Sequence, residues 1–225
     1  MLKNIIKRYI SAASLRKLKS TYFRFFGGNR IRGKRGNRLR LNDATLRHCH
    51  ITFHGTGCSV ILGGGNLLTD CKLEIFGSNC CIIIGDNNSF NGANFWLEDN
   101  NSRIIIGNNN RFTGEIHFGI VEGTSLTIKD ECLFSSKIHI MTTDSHSIID
   151  MSTGKRVNPS KDVLINSHVW VGHGVSIGKG VTLARDMVVG ACSYVAKSID
   201  EPHSIVAGVP AKVVRRNFTW NINRI

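Results

Sequence analysis

The first 42 residues contain no aspartate or glutamate, although they hold thirteen lysines and arginines. The rest of the chain carries sixteen charges of each sign, so the net charge of +13 sits wholly in an N-terminal arm. No stretch is apolar for long enough to cross a bilayer, and the start lacks the apolar core and small-residue cleavage site of a secretory leader. The seven cysteines (49, 58, 71, 80, 81, 132 and 192) form no CxxC and no paired spacing. An odd, unpaired set without a leader points to a reducing, cytoplasmic setting rather than a disulfide framework. No serine or cysteine stands in a nucleophile elbow, which argues against an acyl-enzyme. No nucleic-acid recognition motif accompanies the basic arm, so no nucleic-acid partner is expected.

What is present is a period. Ser59-Val-Ile-Leu-Gly, Cys81-Ile-Ile-Ile-Gly, Arg103-Ile-Ile-Ile-Gly and Ser125-Leu-Thr-Ile-Lys open at intervals of 22 residues. Six residues beyond Leu62, Ile84, Ile106 and Ile128 stand Leu68, Phe90, Phe112 and Phe134. From Val163 the interval shortens to six, through Ile165, Val171, Ile177, Leu183, Val189 and Val195. A second apolar column runs through Val163, Val169, Val175, Val181 and Met187. Inward side chains two apart in a six-residue unit describe a short strand plus a corner. Three units close a triangular coil, and successive coils pair as parallel strands about 4.8 Å apart. The 22-residue coil has four extra residues at one corner, and the longest excursion runs from 142 to 162. Asn and Gly crowd the corners, where left-handed backbone angles are needed. The domain expectation is a basic arm over 1–38, a coil domain over 39–200 and a C-terminal segment over 201–225, with a short helix around Val213–Asn221.

The arm has helical spacing at Leu2, Ile5, Ile6, Tyr9 and Ala13, continued loosely by Leu15, Leu18, Tyr22, Phe25 and Phe26. Three roles fit it: peripheral contact with an anionic membrane face through residues 1–26, a cap on the open end of the coils, or docking of an acidic polysaccharide.

Thr142-Thr-Asp-Ser-His-Ser-Ile-Ile-Asp, Arg156-Val-Asn-Pro, Val169-Trp-Val-Gly, Val189-Gly-Ala-Cys-Ser-Tyr-Val-Ala-Lys and Ala207-Gly-Val-Pro-Ala-Lys-Val-Val-Arg follow one another in this order. Together with the hexads, over about residues 58–216, they resemble the hexapeptide-repeat acyltransferases, in their polysaccharide and sugar O-acetyltransferase branch. That resemblance implies an all-β fold, a left-handed parallel β-helix, assembled as a homotrimer with active sites between subunits. It implies acetyl-CoA as donor and a polysaccharide or oligosaccharide hydroxyl as acceptor.

The family's base is the His of the long loop, here His146. A sugar hydroxyl must lose its proton as it attacks a thioester, and a group titrating near neutrality can take it. Asp144, Asp150 or a backbone carbonyl would orient the ring. The resemblance puts Trp170 beside the acetyl and pantetheine end of the donor, His173 and Ala191 along pantetheine, and Lys197, Lys212 and Arg215 at the phosphates. Cys192 and Asn166 stand where the pattern usually has Gly. On the acceptor side, adding 22 to Phe95 gives His117 and then His139, an outward column beside inward Trp96, Phe118 and Ile140. That column is a candidate sugar platform. N-acetylation of an amino sugar and a non-enzymatic scaffold are rival functions on this fold. Zinc chemistry is a weaker rival: His168 and His173 have a ligand-pair separation, but the residue five after His173 is Gly178, so no metal is expected.

Overall fold

The computed structural model describes residues 11–224. Three parallel sheets run the length of the chain, and each strand pairs with strands one coil before and one coil after it. The first face holds Arg30–Arg32, His50–Phe53, Lys72–Ile75, Ala93–Leu97, Ile116–Ile120, Ile138–Met141, Ser176–Ile177 and Tyr194–Val195. The second face runs from Arg38–Arg40 to Thr182–Leu183, and the third from Thr45–Arg47 to the final hairpin. The result is a left-handed parallel β-helix of about eight turns.

Alternation along each short strand decides which side chains enter the prism. Both apolar columns read from the sequence are buried, from Leu62, Ile84, Ile106 and Ile128 to Val163, Val169, Val175, Val181 and Met187. Phe90, Phe112 and Phe134 stack along the axis with centroids 4.3 and 4.6 Å apart. A second ladder is polar. Asn66, Asn88 and Asn110 are buried at one corner, and each Oδ1 accepts a backbone N–H from the next coil, at 2.8 Å in each case. This satisfies amides that a turning backbone would otherwise bury unpaired. Cys58 and Cys80 fill the core as expected of small side chains, and their thiols donate to carbonyls of Gly77 and Asp99 one coil on. Burial pushes the Cys80 thiol up to about 11 and that of Cys132 to about 12.

Three expectations need correction. First, no helix forms around Val213–Asn221. Ser204–Gly208 continues the third face beside Met187–Val189, and Ala211–Arg216 returns antiparallel to it. Val213 and Val214 favour an extended chain, and Val213 packs on the core while Val214 faces out. Second, the coils begin at Arg30 rather than Leu39, because Arg30-Ile-Arg and Arg38-Leu-Arg already alternate and pair with the next coil. Third, Trp96 points outward and Phe95 inward. The corner 113–115 holds one residue more than its counterpart below, so Asn94, not Phe95, pairs with His117.

Helix α1 (Ala12–Phe26) lies against the first coil. Ser11 caps its start by accepting the Ser14 N–H. Arg47 places its guanidinium 4.0 Å above the Phe23 ring, and Asn29 Nδ2 donates to the carbonyls of Phe23 and Leu46. The helix thus covers one end of the prism, while Leu18, Tyr22, Phe25 and Phe26 stay exposed on its other side. Leu2, Ile5, Ile6 and Tyr9 of the expected amphipathic pattern lie outside the described residues.

Candidate functional site

The long excursion 142–162 leaves the prism at the corner between the first and second faces, where Ile138–Met141 ends and Val163–Ile165 begins. Its shape comes from one buried residue, Asn158. The Asn158 Nδ2 donates to the His146 carbonyl at 2.9 Å and to Asp144 Oδ2 at 3.0 Å, and its Oδ1 accepts the Ile148 N–H at 2.7 Å. Lys179, from a hexad coil, bonds the Asn158 carbonyl at 2.8 Å and pairs with Asp144 at 2.6 Å. The Lys179 and Asn158 bonds hold the Asp144 carboxyl below its usual range. Arg156 pairs with Glu122 at 2.7 Å, and Glu122 also accepts the Ser160 N–H. Asp150 accepts from Ser152 and Thr153 in its own turn. Both carboxylates considered for orienting the imidazole are therefore engaged elsewhere, and Asp144 serves to pin the loop.

So held, His146 joins His117, Trp96 and Gly119 around a cavity of about 520 Å³. Gly119 makes room for it: a Cβ there would lie 2.5 Å from Met141 Sδ. The His146 side chain is exposed and has no hydrogen-bond partner among the described residues. His117 is half-buried, with its Nδ1 3.2 Å from Asn94 Nδ2. Burial, then the neighbouring His139, lowers its pKa and favours the neutral ring. With the Asn94 amide donating to Nδ1, the remaining proton sits on Nε2, so His117 is a hydrogen-bond donor to whatever enters. His139 is 6.0 Å from His117 by ring centroid, and lines a neighbouring depression of about 420 Å³ rather than the His146 cavity.

Trp170 projects from the third face and is 39% exposed, with Trp220 of the C-terminal segment 6.1 Å away. Trp220 stacks on His168 at 4.4 Å and donates from Nε1 to its carbonyl. Trp170 lines none of the His146 cavity. His173 and Ala191 stand together at the corner between the third and first faces. His173 Nδ1 is 2.8 Å from Ser136 Oγ, and a Cβ on Gly172 would meet the Ala191 backbone N at 2.8 Å. Cys192 adopts the left-handed angle expected of the Gly it replaces, at φ 57°. Asn166 donates from Nδ2 to the Leu183 carbonyl. Lys212 and Arg215 are exposed on the final strand, on Trp170's face, whereas Lys197 follows Tyr194–Val195 at the corner of the His146 loop. The phosphate cations of the sequence expectation thus do not cluster within one protomer. Among the described residues no group of three His, Cys, Asp or Glu side chains is arranged to hold a metal ion.

The sequence analysis missed Trp96, Gly119, Asn158 and Lys179. Asn158 was visible in the quoted Arg-Val-Asn-Pro run. Gly119 had a signal too, as a glycine inside a strand pattern.

A solenoid of hexads with an imidazole raised on its longest corner is a fold this chain shares with solved acetyltransferases. Two curated relatives carry the name polysialic acid O-acetyltransferase. One, from Escherichia coli O1:K1 / APEC, is 33% identical over 101 residues, covering 45% of this chain and 33% of the relative. The other, from Neisseria meningitidis, is 31% identical over 101 residues, covering 45% and 47%. The matched stretch thus spans between a third and half of these relatives' length. In structure, the chain superposes on the polysialic acid O-acetyltransferase OatWY with a TM-score of 0.80 and 28% identity, over 88% of this chain and 92% of that one. No family profile matches the chain. The resemblance read from the residues is borne out: the homologues are polysaccharide O-acetyltransferases on a β-helix.

Proposed function

We propose that this chain moves an acetyl group from acetyl-CoA to a hydroxyl of a surface polysaccharide or its precursor, as a homotrimer. The observation that carries this is the convergence of His146, His117 and Trp96 on one cavity, on a fold shared with a polysialic acid O-acetyltransferase. In this reading His146 withdraws the proton of the acceptor hydroxyl as that oxygen attacks the acetyl carbonyl; the thioester C–S bond then breaks, and the CoA sulfur leaves as a thiol with that proton. His117 donates a hydrogen bond to the acceptor, with His139 further along the same column. Acetyl-CoA supplies an activated thioester. The chain has residues that fit it: exposed Trp170, a flat corner at Gly172, His173 and Ala191, and exposed Lys212, Arg215 and Lys197 for phosphates. The test is incubation with acetyl-CoA and a panel of bacterial glycans, read by mass spectrometry. Added acetyl on at least one glycan is expected, and no acetylation across the panel overturns the reading.

A second proposal concerns place. Among the described residues no helix is long and apolar enough to cross a membrane. Leu18, Tyr22, Phe25 and Phe26 nevertheless form one exposed apolar stripe on α1, in an arm whose charged residues before Asp43 are all basic. An apolar stripe among cations fits peripheral contact with an anionic bilayer. The protein is expected to float with vesicles containing phosphatidylglycerol and not with pure phosphatidylcholine. The double variant Phe25→Ser, Phe26→Ser should weaken that partition about tenfold, each ring contributing its buried apolar area. Equal flotation of variant and parent refutes the stripe.

A further inference from the structure

Polysialic acid, the polymer in the relatives' names, bears a carboxylate on every sugar. The cavity around His146 is poorly suited to such a unit. Glu98, Asp99 and Glu122 all line it, and no lysine or arginine among the described residues does. Arg156 is committed to Glu122 and Lys179 to Asp144, and neither Lys155 nor Lys161 of the loop lines the cavity. Glu98 and Asp99 have no cationic partner among the described residues: Glu98 accepts only the Trp96 indole N–H, at 3.2 Å, and Asp99 only the Glu122 backbone N–H, at 2.8 Å. Each keeps free lone pairs at the cavity wall.

Beside these carboxylates, Trp96 gives the cavity an aromatic face. Trp96 borders the cavity and touches Phe76, with centroids 4.4 Å apart, and Phe76 stacks on His54 at 4.3 Å and 5°. A ladder of three rings thus leads from the cavity along the first face toward the N-terminal end. Ring faces accept the apolar C–H side of a pyranose, and free carboxylate oxygens accept its hydroxyls. Both features suit a sugar without charge, and two uncompensated carboxylates repel one that carries its own.

Building on the acetyl-transfer reading above, we infer that the sugar unit presented to His146 is uncharged, a neutral hexose or N-acetylhexosamine stacked on Trp96 with hydroxyls on Glu98 and Asp99. This departs from the acceptor named for the relatives. It makes Glu98 and Asp99 specificity-determining residues for acceptor charge.

The test compares one acceptor skeleton in two charge states: an α2,8-linked sialic acid tetramer and the same tetramer with its carboxyls methyl-esterified. A glycan panel containing neutral oligosaccharides is run alongside. The ester is expected to be acetylated with kcat/KM about tenfold above the acid, the size of a like-charge penalty of a unit or so of charge at short range in water. The double variant E98Q/D99N should raise kcat/KM for the acid form and narrow that ratio. An acid form equal to or better than the ester overturns the inference, and so does a ratio unmoved by E98Q/D99N. Should neither tetramer be acetylated, their Kd values by calorimetric titration decide, and tighter binding of the acid overturns it. Failure of the acetyl-transfer reading looks different: no glycan of the panel gains acetyl at all.

Discussion

Replacing His146 by alanine is expected to lower kcat at least ~100-fold while leaving the β-helix folded, because in the proposed reaction the change removes only the general base. The His146 side chain is exposed and holds nothing in place; the loop is anchored instead through the His146 carbonyl, which Asn158 grips whatever the side chain. Two other titratable groups of the cavity, Glu122 and His117, are poor substitutes as bases. Glu122 accepts the Ser160 N–H and pairs with Arg156, which together hold its carboxyl below the usual range. In the tautomer whose Nδ1 accepts from the Asn94 amide, His117 carries its proton on Nε2 and donates rather than accepts toward the cavity. The measurement is steady-state kinetics with acetyl-CoA and the acceptor identified from the glycan panel, beside far-UV circular dichroism. Near-normal turnover in the alanine variant removes His146 from the chemistry.

Much of this arrangement was legible because a solenoid repeats its own test. A 22-residue interval, held from Leu62 to Ile128, assigns inward positions four times over, and the buried columns agree with it. The loop His came from the family resemblance, through the Thr142-Thr-Asp-Ser-His run on the corner that interrupts that interval. What could not be read was a local slip. One added residue at 113–115 turns a step of 22 into 23, and since side chains alternate, that single residue exchanges Phe95 and Trp96 between core and surface. The aromatic that borders the cavity was therefore assigned to the core. The C-terminal hairpin was missed for another reason. A lone run such as Val213-Val-Arg-Arg has no periodic neighbour to fix its conformation, and its pairing with Ser204–Gly208 is a tertiary choice. Asn158 acts through contacts 10 to 21 residues away in sequence, to Ile148, His146, Asp144 and Lys179, which no local pattern reports.

Mixing two impaired variants is expected to raise activity above both. His146 stands at the corner between the first and second faces, and Trp170 projects from the third. Among the described residues, Trp170 lines neither the His146 cavity nor the depression beside Trp220. If both act on one acetyl group, as proposed, a site must draw its imidazole from one subunit and its indole from a neighbour, which a three-fold ring of identical chains supplies at every interface. Trp170→Ala should raise the KM for acetyl-CoA about tenfold or more, by removing an apolar wall from the donor slot. When His146→Ala and Trp170→Ala chains are unfolded together and refolded at equal amounts, about a quarter of the interfaces receive an intact residue from each side. At acetyl-CoA concentrations well below the KM of the Trp170 variant, the mixture should reach about a quarter of the parent rate, above the roughly one-tenth expected of the Trp170 variant and far above the His146 variant. A mixture no more active than the average of its two components would mean that the two residues do not meet across an interface. Sedimentation of the parent as a monomer would remove the interface itself.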